Sequence, residues 1–352
     1  MTAILLYGCL GLASAAAQTL PEQLIAEGHW KRARAIVEPW IRAKPDDALA
    51  NFLLSQICNA FHDQRSPLGL AERAVQLDSA SGRYHRQLAE VLGATAQHSG
   101  MLQQLFLARR FKKEIDIAIA EDPSDLQALR DLMEFYLLAP AIAGGDWARA
   151  QSVADQIGRL DVAEGCFARA RLEESNHESG KLEALFRHAV EAQPGSYRTR
   201  SALASFYLSV DRQNYDLAEQ QAREAVTIDH GRVEGYATLA EASAMRGNWA
   251  EMEAVLASAE KEVPDDLTPY YRAAQALAAS HRELPRAERL LRKYLTSEPE
   301  GNSPTLTDAH WQLGLVLEKQ SRTAEAIREW SESLRLDSNS PAKRELKRLS
   351  VR

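Results

Sequence analysis

Apolar residues recur along this chain at steps of three and four positions, in stretches the length of a single helix. Between Val233 and Asp266, two such stretches are separated by Gly247-Asn248, and Pro264 follows the second. This spacing gives each helix one apolar face. Gly supplies the positive φ that ends the first helix tightly, Asn can cap the second, and Pro cannot continue it. The pattern predicts a helical hairpin.

The hairpin pattern repeats. Gly28–Ala33, Gly145–Ala150 and Gly247–Met252 are near-copies, and Trp30 precedes Pro45 by the same step by which Trp249 precedes Pro264. A fixed spacing predicts a stack of repeats in which each hairpin packs on its neighbours. The alternative is an ordinary all-α bundle. A bundle, however, does not require a constant number of residues between the turn of a hairpin and the proline that ends its second helix.

The last full unit carries the clearest set of signature residues, which are Trp311, Leu313, Gly314, Leu317, Ala326, Trp330, Ser333 and Ser338. This order resembles the tetratricopeptide repeat, which spans roughly 34 residues, although Ser338 stands where the family has Pro. The resemblance implies an all-α, right-handed α-solenoid of about nine degenerate hairpins over residues 18–340, with a capping helix over 341–352. The expected units are 18–46, 47–80, 81–124, 125–162, 163–196, 197–232, 233–267, 268–306 and 307–340.

Two insertions break the spacing, at residues 97–110 and 138–144. Insertions in solenoids collect on the loops of one face, which is often the face that binds. The second, Ala139–Gly145, resembles an insertion found in a branch of exported bacterial tetratricopeptide proteins. We hypothesise that the two insertions pack together as a lip on the edge of the groove. The alternative is that they fill a local packing gap.

The N-terminus differs from the rest of the chain. Met1–Pro21 has no charged side chain, and the apolar run Ile4–Leu12 precedes the small residues Ala13–Ala17. This order predicts a signal peptide over residues 1–17 and export to the bacterial periplasm. The alternative is an uncleaved first helix in a cytoplasmic protein. Downstream, the sequence has no apolar run long enough to span a bilayer.

Composition and motifs give no indication of catalysis. The net charge of −7 argues against nucleic acid as the main partner, and three Cys exclude a disulfide scaffold. Cys58 and Cys166 are expected to be buried and unpaired. The nine His have no helical metal-site spacing, and the chain lacks HExxH, a phosphate loop and a Gly-x-Ser-x-Gly elbow. The sequence therefore predicts no enzyme activity, no catalytic residue, no cofactor and no metal.

In the tetratricopeptide family, the first helix of each pair lines the concave face. Carried over, the candidate peptide-binding residues are Arg83, Arg86, Glu90, Gln127, Arg130, Glu134, Phe167, Arg171, Glu174, Arg198, Ser205, Glu241, Arg272, Trp311 and Leu315. Arg86 with Glu90, and Arg130 with Glu134, repeat one pair at i, i+4. Such pairs can bind the carboxylate and amide groups of an extended peptide, or they can simply stabilise their own helix.

These observations predict a non-catalytic scaffold that binds a peptide or partner helix in the concave groove. The alternative is a structural module that self-associates in an envelope assembly. Exposure of Trp311, Leu315 and the apolar side of the last helix would favour that alternative.

Overall fold

The computed structural model describes residues 20–63, 66–97, 99–209 and 211–350. Within these ranges the regular secondary structure is entirely helical, so the predicted all-α class is confirmed. The predicted signal peptide, residues 1–17, lies outside the described residues and stays a prediction, as does export.

The helices follow one another with short connections. The first described helix, α1, covers residues 20–27. The others are α2 (Trp30–Ala43), α3 (Ala48–Ala60), α4 (Pro67–Leu77), α5 (Gly82–Gln97), α6 (Met101–Glu121), α7 (Leu126–Leu138), α8 (Trp147–Leu160), α9 (Val162–Ser175), α10 (Leu182–Ala192), α11 (Tyr197–Leu208), α12 (Tyr215–Ile228), α13 (Val233–Arg246), α14 (Trp249–Glu262), α15 (Thr268–Ala279), α16 (Leu284–Tyr294), α17 (Leu306–Lys319), α18 (Thr323–Leu336) and α19 (Ala342–Ser350).

The chain divides into two compact units, Met1–Gln193 (unit 1) and Pro194–Arg352 (unit 2). Within each unit, most helices pack mainly on a neighbour in sequence, while α13 packs mainly on α15. The first helices of successive hairpins also touch, α3 with α5 and α7 with α9 in unit 1, and α13 with α15 in unit 2. This neighbour-to-neighbour packing is that of an α-solenoid of helical hairpins, as the repeat spacing predicted.

A residue with positive φ ends the first helix of most hairpins. Gly28 and Gly247 fill this position where the sequence pattern is clearest, with φ of +92° and +76°. In other hairpins the position holds a residue other than glycine, namely His62, His177, Gln213, His281 or Ser321. After Gly247, the Asn248 side chain accepts a hydrogen bond from the Glu251 amide, as expected of a cap.

Three of the signature residues of the last hairpin, Trp311, Gly314 and Trp330, contact one another. Trp330 is fully buried, and its Nε1 donates to the Trp311 carbonyl at 3.1 Å. A Cβ added at Gly314 would lie 2.3 Å from Trp330 Nε1, so this position has no room for a side chain. The small residue thus lets α17 and α18 approach closely.

The insertions take a form that was only partly expected. Residues 101–110 of the first insertion are helical rather than a loop, and they lengthen α6, which has 21 residues. Residues 138–144 form a short connection with a 3₁₀ turn at Ala141–Ala143, and this turn contacts α6. The two insertions therefore meet, as hypothesised.

Candidate functional site

The charged residues predicted to line the groove mostly bind one another. Arg86 Nη1 lies 3.8 Å from Glu90, as the i, i+4 spacing predicted, but Arg86 Nε also lies 3.5 Å from Asp125, which caps α7. In unit 1, Asn59 on α3 donates to Glu90 on α5 at 3.3 Å. These contacts join successive first helices.

The predicted Arg130–Glu134 pair is wrong. Arg130 instead binds Glu164 on α9, and Glu134 accepts two hydrogen bonds from Arg171, from Nε at 2.6 Å and from Nη2 at 3.0 Å. The i, i+4 spacing allows a pair along one helix, but the side chains reach the neighbouring helix, where each makes a closer, more direct contact. Gln127 also binds Arg130 and donates to Asp131 at 2.9 Å. Charge reversal at Arg130 would therefore break the stacking of α7 on α9.

Of the remaining predicted residues, Glu174, Arg198 and Ser205 are exposed, and others are in internal contacts. Arg83 binds Glu22 at 2.6 Å and lies over the Phe52 ring, and Phe167 packs against Phe186. In unit 2, Arg272 binds Glu241 and lies 3.4 Å from Glu234.

The terminal helix covers the surface on which self-association would depend. Trp311 and Leu315 are partly buried and pack on the core of unit 2, together with Leu346 and Leu349 from α19. Arg348 of α19 binds Glu318 of α17 at 2.7 Å. The exposure that would favour self-association is therefore not found at these residues.

A cavity of about 490 Å³ lies in unit 1, where the two insertions meet. One wall is α6, through Met101, Leu105 and Phe111, and the opposite wall is the end of α7 and the segment that follows it. Phe111 and Phe135 stack behind these walls with ring centroids 5.3 Å apart. The volume is that of a typical ligand pocket.

Exposed apolar side chains lie on both insertions. Met101 and Leu138 line the cavity, and Leu102, Phe106 and Ile142 lie on the same two segments outside its lining. These five side chains are exposed by 60% (Phe106) to 85% (Leu102). Single exposed apolar residues are common, but a cluster on two contacting segments marks an interaction surface. The segment after α7 is fixed tightly, because a Cβ at Gly145 would lie 1.8 Å from the Ala139 carbonyl oxygen.

Carboxylates occupy one end of the cavity. Glu90, Asp131 and Glu134 line it, and none of the other lining residues in the described part of the chain is basic. Burial, then repulsion by Glu90, raises the pKa of Asp131 to about 7. Burial also raises the pKa of Glu90, although 43% of its side-chain surface is accessible, because the cavity walls exclude much of the bulk water.

The sequence reasoning identified Glu90 and Glu134 but missed Asp131. It located both insertions but did not predict that they enclose a cavity with these carboxylates. The available signal was that Asp131 shares a helix with Gln127 and Glu134, four and three residues away.

The described ranges contain no group of three or more His, Cys, Asp or Glu side chains suited to a metal ion. Cys58 and Cys166 are buried as predicted, neither is in a disulfide, and burial raises the pKa of the Cys166 thiol. Within the same ranges, no helix has the length and apolarity needed to cross a bilayer.

No family model and no curated protein matches this chain. Similar solved structures include a tetratricopeptide repeat protein from Parabacteroides merdae, with 18% identity, a TM-score of 0.47, and coverage of 75% of this chain and 99% of that one. Yeast Tom70 has 11% identity, a TM-score of 0.46 and coverage of 94% and 86%. PilW, a type IV pilus biogenesis factor, has 14% identity, a TM-score of 0.45 and coverage of 64% and 98%. These likenesses concern the fold alone.

Proposed function

We propose that the chain is a non-catalytic protein-binding scaffold, and that it captures an apolar peptide segment or partner helix in the unit 1 cavity. The observation that carries this proposal is the cluster of exposed apolar side chains on the two insertions around the cavity mouth. Covering such a cluster releases about 25 cal/mol per Å² of apolar surface, which provides the driving force for association.

The arrangement of these exposed side chains favours a peptide over a small molecule. Met101 and Leu105 line the cavity, while Leu102 and Phe106 extend the apolar surface along the exposed side of α6. Both pairs have the i, i+4 spacing, so they form ridges along the helix. A second helix can lay its own apolar stripe against such ridges, whereas a small ligand would use the cavity and leave the outer ridge uncovered.

The proposal is tested by selecting peptides from a random display library on the full chain. Binding of the selected peptides is then measured to Met101→Gln and Leu138→Gln, alone and combined. Both side chains are exposed and Gln suits a helix, so we expect the fold to be kept within about 0.5 kcal/mol. We expect the combined variant to weaken binding at least about tenfold, which corresponds to about 1.4 kcal/mol.

Leu160→Gln is the matched control, because Leu160 is an exposed leucine of unit 1 on α8 that does not line the cavity. It should leave binding unchanged. The proposal is overturned if no selected peptide loses affinity for the combined variant, or if the control weakens binding equally.

A further inference from the structure

The carboxylates at the end of the cavity differ in how well ion pairs and hydrogen bonds compensate their charge. Glu134 has both of its oxygens bound by Arg171. Glu90 has Arg86 at 3.8 Å and a hydrogen bond from Asn59. Asp131 accepts from Gln127 through Oδ1, but its Oδ2 is buried and accepts no hydrogen bond.

The two nearest arginines are shared with other carboxylates, and they lower the pKa of Asp131 by less than burial and Glu90 raise it. Arg130, adjacent to Asp131 in sequence, binds Glu164, and Arg86 lies between Glu90 and Asp125. Among the described residues, Asp131 has no ion pair within 4 Å. A desolvated carboxylate without a cationic partner is costly, and repulsion from Glu90 adds to that cost.

A bound cation offsets this cost while Asp131 keeps its charge. An apolar segment would leave Asp131 desolvated and unpaired, and an acidic segment would add repulsion. A compact metal ion does not fit either, because it would keep its hydration shell beside apolar walls and, in the described residues, would find no cluster of ligands. The combination of apolar walls and an uncompensated carboxylate fits an apolar segment that carries one Lys or Arg, whose aliphatic stem packs on the walls.

We infer that the segment captured in the unit 1 cavity carries a Lys or Arg side chain among its apolar residues, and that this cation binds at the Asp131–Glu90 end of the cavity. This inference rests on the proposed function, because it specifies the partner of the same site. The cation completes a charge arrangement that the chain's own arginines leave incomplete.

The experiment begins with peptides selected on the full chain whose binding depends on Met101 and Leu138. In each, the basic residue is replaced by norleucine, which keeps the aliphatic stem and removes the charge. Affinities are measured by fluorescence anisotropy at pH 8. We expect the basic peptide to bind about tenfold more tightly than its norleucine form.

Asp131→Asn removes the charge and keeps the side-chain shape, so we expect the two peptides to bind this variant within about twofold of each other. Asp216→Asn changes net charge equally at an exposed site in unit 2, where the Asp216 side chain is 78% exposed, and should keep the full preference. Variants are compared by circular dichroism to establish that each is folded.

The pH dependence adds a second readout. The groups around Asp131 are Glu90 and Arg86 from α5, and Arg130 and Glu134 from its own helix. Because the pKa of Asp131 is about 7, its charge is largely lost at pH 5, and the preference for the basic peptide should fall there. In Asp131→Asn this fall should be absent.

The outcomes separate the two proposals. Equal affinity of the basic and norleucine peptides, or selected peptides without any basic residue, overturns the inference and leaves the proposed function standing. A preference that survives Asp131→Asn, or that Asp216→Asn also removes, overturns the assignment to the Asp131–Glu90 end. Absence of any cavity-dependent peptide overturns the proposed function itself.

Discussion

In both units, the first helices of the hairpins carry the same kinds of charged residue, but the charges of these side chains are neutralised differently. In unit 2, Arg272 of α15 binds Glu241 and lies near Glu234, both on α13. In unit 1, Arg86 is divided between Glu90 and Asp125, while Asp131 lines a cavity and pairs with no cation among the described residues.

The difference teaches what separates a stacking contact from a candidate binding surface in this fold. Where an arginine lies between carboxylates of the neighbouring helix, the contact holds two repeats together and its charge is used internally. Where longer helices open a cavity beside such carboxylates, part of the charge is left without a partner. Three substitutions test this contrast.

The largest effect is expected from Asp131→Asn. The native pKa of Asp131 is raised from 3.8 to about 7, so between these values the native state binds more protons than the unfolded state and stability falls as pH rises. At pH 8 the variant should therefore be more stable than the parent chain, by about 4 kcal/mol, because raising the pKa from 3.8 to about 7 corresponds to about 1.4 kcal/mol per pH unit.

This gain should disappear below pH 4, where the carboxyl is protonated in both states. Urea unfolding followed by circular dichroism across this pH range measures it, with Asp216→Asn as the control. A variant that is less stable than the parent at pH 8 would show that Asp131 is compensated in unit 1 as fully as the unit 2 carboxylates are.

Arg272→Met should have the next largest effect, with the opposite sign. The substitution keeps an unbranched apolar stem but leaves Glu241 and Glu234 without their partner, and the Arg272 and Glu241 side chains are only 25% and 23% exposed. We expect a loss of about 2 kcal/mol in the free energy of unfolding at pH 7.

The loss should appear where the two glutamates lose their partner. Hydrogen exchange on the full chain should locate it in α13 and α15 of unit 2. If protection from exchange in α13 and α15 is unchanged, this arginine does not hold the repeats together. The proposed difference between the two units would then lack its support in unit 2.

The smallest effect is expected from Glu134→Gln. Its bidentate pair with Arg171 joins α7 to α9, but both side chains are about a third exposed, at 35% and 34%. Solvent screens such pairs, so we expect a loss of less than about 1 kcal/mol, which added salt should reduce further. Unfolding at low and high salt measures this, and a loss as large as that of Arg272→Met would contradict the ranking.

The fold could be predicted because its signals are local. Gly247 indicates a turn, Asn248 a helix cap and Pro264 the end of a helix, and the distance between such residues repeats along the chain. Other turns were harder to recognise, because His62, His177 and Ser321 adopt the positive φ that normally favours glycine. The helical extension of α6 was missed although Met101–Ala108 is rich in Leu and Gln, which are good helix formers.

The candidate site was only partly predictable because its contacts lie between helices. A sequence displays the i, i+4 partner of Arg130 directly, whereas the observed partner, Glu164, is brought close only when α7 packs on α9. Asp131 looked like any polar residue on a helix surface. Its burial depends on α5 and on the cavity walls, and neither can be inferred from the neighbouring sequence.

The lengthened α6 has a consequence for how this protein can diversify. Its first turns carry Leu102 and Phe106 on the outside, while Phe111 and Ile115, further along the same helix, are buried in the core. Under the proposed function, substitutions in those first turns would change what is recognised with little penalty to folding. Natural variants of the chain would then acquire new binding preferences there, while the remainder of the array retains its architecture.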